Sequence, residues 1–172
     1  MVRKIIEVLM SILCFVLQIT LFKRLEIASV SPNLLIVLVA SFGFMKGKRE
    51  GMILGFVSGF IVDLYFSPVL GIYTLLYMFI GYLNGFFKNE FFPDDIKLPM
   101  LLIAMSDFVL NCAIYVIFFA FRGDMNLGYY LVNIVIPELV YTMLVSIVLY
   151  LLILKINQRI ERYEKKSASK FG

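Results

Sequence analysis

Apolar residues do not alternate with polar ones along this chain. They fall into six nearly unbroken runs, at about residues 5–22, 32–46, 51–66, 71–87, 98–121 and 130–154, separated by short polar stretches. Unbroken runs of this kind select helices over strands, because a half-buried strand carries a period of two. About 20 apolar residues are needed to cross a bilayer core as a helix. Lipid offers the backbone no hydrogen-bond partners, so every spanning segment must satisfy its own. The pattern predicts an all-α integral membrane protein: one domain over residues 1–172, built as a bundle of six transmembrane helices. The second and third runs are short. Either they recruit flanking residues in a locally thinned bilayer, or one is re-entrant and shielded by its neighbours.

The polar stretches orient this bundle. Six crossings put the N-terminus, the 46–50 loop, the 88–97 loop and the tail (155–172) on one side, carrying 2, 3, 2 and 6 Lys or Arg residues. The other side holds Lys23, Arg24 and Arg122. Basic residues collect on the cytoplasmic face, so both ends are predicted inside. Dropping one helix would scatter the charges over both faces. Phe86, Phe87, Phe91 and Phe92 fall near the inner boundary, and Tyr65, Phe66, Tyr129 and Tyr130 near the outer one, as interfacial aromatic belts do. The tail continues a helical pattern, with Ile156, Ile160 and Tyr163 on one face. It reads either as a surface helix drawn to anionic membrane lipid or as a plain basic anchor.

Composition narrows the chemistry. The chain is 62% hydrophobic and 16% charged, too apolar for one soluble core. Its net charge of +4 follows from membrane topology, so no nucleic-acid partner is expected. There is no histidine, which removes the commonest general base and many metal sites. Cys14 and Cys112 sit inside apolar runs without a ligand-spaced partner, against both a disulfide framework and a zinc site. No phosphate-binding glycine loop, nucleophile elbow or metal-ligand pair occurs. Asp94 and Asp95 are adjacent and are expected to cap the fifth helix rather than bind metal. Neither an enzyme nor a cofactor is predicted.

Two groups of residues stand out. Gly43, Gly47, Gly51, Gly55 and Gly59 recur every four residues, and Gly81 and Gly85 repeat the spacing in the fourth run. Such glycines let helix backbones approach closely, within the bundle or against a partner. Acidic residues in apolar runs are expensive and mark polar pathways or interhelical pairs. Glu7 and Asp63 lie near run ends, and Asp63 is placed to cap the short turn beyond it. Asp107 and Glu138 lie deeper, with Asn111 one turn beyond Asp107 as its expected partner and Pro137 able to kink the sixth helix. Two carboxylates alone make only a weak case for a proton relay.

The segment Pro32-Asn33-Leu34-Leu35, then Gly51, Gly55, Gly59 and Phe60, Asp63, Ser67-Pro68, Leu70-Gly71, and finally Gly81-Tyr82 with Gly85, resembles the bacterial rod shape-determining protein MreD family. The resemblance covers the second to fourth helices. It implies a non-enzymatic scaffold of the cell-wall elongation machinery in the bacterial cell membrane. The implied partner is the bitopic protein MreC, and through it MreB filaments and the RodA glycosyltransferase with its transpeptidase. On this reading Gly51, Gly55, Gly59, Asp63, Gly71, Gly81 and Gly85 are candidates for helix packing or the partner interface. The family is also similar in architecture to the S-components of energy-coupling-factor vitamin transporters, which leaves a small-molecule binding subunit as the alternative. Such a subunit should carry a polar pocket toward the outside.

Overall fold

A computed structural model describes residues 2–25, 30–67, 69–92, 95–118 and 127–168. They form six helical rods and, among the described residues, no β-strand. Rod α1 runs Val2–Leu17 and continues through a π-helical turn, Gln18–Phe22. Then come α2 (Leu34–Lys46), α3 (Lys48–Phe66) and α4 (Ile72–Asn84), which tightens into a 3₁₀ segment, Gly85–Glu90. Rod α5 spans Lys97–Phe118. The last rod, α6, joins Leu127–Tyr130, a π turn at Leu131–Val135, and Ile136–Ala168. Pro68, Asp94 and Arg122, which figured in the sequence reading, lie outside the described residues, as do positions 119–121 of the fifth run and 169–172 of the tail.

Helix α2 is the axis of the fold. It is apolar on every side, a pattern that suits a helix enclosed all round. Every residue from Leu34 to Met45 is buried, with the other five rods packed around it. At 13 residues it is about 20 Å long, short of a hydrocarbon core, and its shielding comes from protein along its whole length. Asn33 caps its start by accepting from Ile36 N at 3.2 Å. A single residue, Gly47, turns the chain into α3. Its φ of 103° is left-handed backbone that a side chain would oppose.

Among the described residues, three rods are long and apolar enough to cross a membrane: Arg3–Phe22, Lys97–Phe118 and Gly128–Glu164. Their outward faces carry large apolar side chains such as Leu9, Leu13, Leu101, Leu144 and Val148, as lipid-facing helices do. The expected count was six. The difference lies in α2, which is short, and in α3 and α4, which form a hairpin. α3 begins with Lys48, Arg49 and Glu50, and α4 has 13 residues.

The tail carries on the helical pattern of the sequence, and α6 continues unbroken to Ala168. Ile160 is buried, whereas Tyr163, expected on the same face, is exposed. Arg3 donates to Glu164 at 2.7 Å and Lys46 pairs with Glu161, so this stretch is fastened to α1 and α2.

Candidate functional site

Polar side chains converge at the end of the bundle formed by the start of α2, the α3–α4 turn and the start of α6. There a cleft of about 480 Å³ opens, lined by Gln18, Asn33, Tyr73, Tyr77, Asn111, Tyr130 and Glu138 among apolar residues that include Val62 and Leu110. Its floor is cross-linked. The Tyr77 hydroxyl donates to Asn33 Oδ1 at 2.9 Å, Asn33 N donates to Thr142 Oγ1 at 3.1 Å, and Leu34 N donates to Gln18 Oε1 at 3.1 Å. These bonds tie α2 to α1, α4 and α6. They also satisfy backbone donors at the start of α2 that no helix can satisfy internally.

Glu138 lines the cleft, with the Asn111 amide and the Asp107 carboxyl among its polar neighbours. The expected Asp107–Asn111 side-chain pair does not form. Asn111 Nδ2 instead donates to the Asp107 backbone carbonyl at 3.1 Å, the ordinary bond of an amide to the turn before it. The Asp107 carboxylate is 1% exposed, faces Thr142, and has no donor in hydrogen-bonding geometry at either oxygen. Among the described residues no lysine or arginine lines the cleft. Glu138 is the carboxylate among them that lines it, and Asp107 lies buried beside it.

Asp63 sits beside this cleft but serves the fold. Its carboxylate accepts from Gly71 N at 3.0 Å, Tyr73 N at 3.0 Å, Thr74 N at 2.8 Å and Thr74 Oγ1 at 2.5 Å. These are the free donors of the first turn of α4, and a negative group belongs at that helix end. Gly71 lies at the same turn with φ 106° and nothing near its absent Cβ. It is a turn residue, outside the seam formed by the other glycines.

That seam joins α3 to α4. A Cβ added at Gly51 would overlap the Gly81 carbonyl, and one at Gly55 the Tyr77 carbonyl. At Gly59 it would meet Thr74 Cα and Tyr73 O, and at Gly85 the Lys48 backbone. Gly43 of α2 reaches the same Gly81 carbonyl. The backbones touch, which only hydrogen side chains permit. Here these glycines are spent inside the chain.

At the opposite end Glu7, buried and with one unpartnered oxygen, lies near Glu50, Arg3 and Lys46. Ser11 and Ser58 meet at 3.3 Å and join α1 to α3. Sequence reading did not single out Gln18, Tyr73, Tyr77, Tyr130, Thr142 or Asn84 as site residues. The available signal was a polar group within an apolar run, which marks carboxylates more sharply than amides or hydroxyls. Among the described residues no group of three or more Cys, Asp or Glu is arranged to hold a metal ion.

An all-helical membrane protein with a polar cleft at one end of its bundle is the class that fold and site define. The sequence profile of the family described as rod shape-determining protein MreD matches residues 2–160. The chain therefore belongs to the MreD family, and the match extends well beyond the second to fourth helices. No curated protein and no solved structure matches it.

Proposed function

We propose that this chain is a non-enzymatic membrane scaffold of the rod complex, acting on lateral peptidoglycan synthesis and cell shape through an MreC-like bitopic partner. MreB filaments, a RodA-type glycosyltransferase and its transpeptidase are linked through that partner rather than directly. The observation that carries this reading is membership of the family over residues 2–160. The chemistry of the cleft agrees with it, since acceptors and aromatic rings suit recognition. Six crossings with both ends cytoplasmic follow from the basic residues, and α2, α3 and α4 complete their crossings against one another within the bundle. The cleft then faces outward, where it can receive the extracytoplasmic side of the partner. Depletion in a rod-shaped host is expected to round the cells, and the wild-type protein to co-purify with the MreC-like partner. Unchanged shape together with no co-purification would sink the reading.

The same cleft favours a second reading, a small-molecule subunit similar to a vitamin-transporter S-component. It has the volume and outward opening that such a ligand needs. Against it, the cleft presents the Glu138 carboxylate and neither Trp nor His. Saturable vitamin binding by purified protein would support this second reading over the first.

A further inference from the structure

The polar groups of the cleft are not all provided for by the fold. The amide oxygens are engaged: Asn33 Oδ1 accepts from the Tyr77 hydroxyl and from Ile36 N, and Gln18 Oε1 accepts from Leu34 N. Glu138 differs. Its polar neighbours are the Asn111 amide, which brings no charge, and the Asp107 carboxyl, which when ionised brings a second charge of the same sign. Asp107 is 1% exposed and has no donor in hydrogen-bonding geometry at either oxygen. Among the described residues no lysine or arginine lines the cleft. Carboxyl groups at this depth in a helix bundle are costly without a positive partner, and they mark the places where one is received.

We propose that the cleft binds an organic cation, a primary ammonium or a guanidinium on a short hydrocarbon stem, held by Glu138 among the tyrosine rings with Asp107 behind it. The rest of the lining selects this kind of cation. Phe66, Tyr73, Tyr77 and Tyr130 supply rings, and Val62 and Leu110 supply apolar wall. Rings attract a cation, and apolar wall suits the stem that carries it. A calcium-like ion would need about six to eight oxygens, whereas one carboxylate is enough for an ammonium or guanidinium. The volume of about 480 Å³ lies in the range of small-ligand sites. Two sources offer this chemistry: a Lys or Arg side chain on the segment of the MreC-like partner that enters the cleft, and a free amine. Assigning the cation to the partner rests on the scaffold reading above; the cation site itself does not.

The test is calorimetric titration of the purified full-length chain with n-butylguanidinium and n-butylammonium, with n-butanol as the neutral counterpart. Saturable binding of at least one cation is expected, and none of n-butanol. Glu138→Gln keeps the shape of the side chain and removes its charge. It should weaken the cation about ten-fold or more, the scale of a hydrogen bond to a charged group. Glu138→Asp keeps the charge and should keep the binding. Glu90→Gln, at an exposed position at the far end of α4, should leave it unchanged, which separates a site from general attraction to negative charge. No cation binding, equal binding of n-butanol, or unaltered affinity in Glu138→Gln would overturn the site and leave the scaffold reading standing. If Glu138→Gln does not fold, the comparison of cation with alcohol on the wild-type chain decides. Partner recovery then identifies the source. Displacement of the co-purified MreC-like partner by n-butylguanidinium assigns the cation to a partner side chain, and undiminished recovery assigns it to a free amine. Failure of the wild-type chain to recover the partner would count against the scaffold reading and leave the cation site standing.

Discussion

A carboxylate buried among apolar helices has to be met by donors, and Asp63 and Asp107 meet that demand in opposite ways. Asp63 accepts four hydrogen bonds from the start of α4, which makes it an internal helix cap. Asp63→Ala should leave those backbone donors bare and destabilise the folded protein by about 2 kcal/mol. Asp63→Asn keeps one acceptor and should lose roughly half as much, read as unfolding midpoints in detergent. Asp107, by contrast, is buried with neither oxygen bonded. Its neutral isostere Asp107→Asn is therefore expected to hold or raise stability, and a drop of more than about 1 kcal/mol would mean that the carboxylate has a partner in the fold after all. That Asp63 stood beside a tight turn was legible from Ser67 and Gly71. The four donors were not, because they belong to residues eight to eleven positions away.

The α3–α4 hairpin is the element on which the rest depends. Glycines at every fourth position pointed to a close approach, but not to which backbone would fill it. The answer lies in the paired carbonyls of Tyr77 and Gly81. Gly55→Leu and Gly59→Leu should block assembly, read as loss of monodisperse protein, because backbone on the other side cannot yield as a flexible side chain can. Gly71→Ala tests a different mechanism. There is open space around it, yet φ is 106°, so the loss should be only about 1–2 kcal/mol. A yield from Gly55→Leu equal to wild type would remove the packing argument for the seam.

At the scale of the whole molecule, sidedness can be tested directly. With Cys14 and Cys112 replaced by serine, Leu70→Cys should react with a membrane-impermeant maleimide in intact cells. Lys88→Cys should react only after permeabilisation. Reversed labelling would turn the topology over and put the polar cleft in the cytoplasm. The apolar runs and the distribution of basic residues determined, without any structure, that this is a helical membrane protein, because both follow from transfer of residues between water and lipid. The same sequence carried the family resemblance in its turns and glycines. Tertiary structure alone decided that α2 is enclosed on all sides, that Arg3 and Lys46 fasten the tail of α6 to α1 and α2, and that Asn111 turns its amide to the Asp107 backbone carbonyl. It also gathered Gln18, Asn33, Tyr77 and Glu138, from four different helices, into one cleft. Hydropathy reports how much a residue avoids water. It does not record which neighbour takes water's place, and that choice is made only when the helices meet.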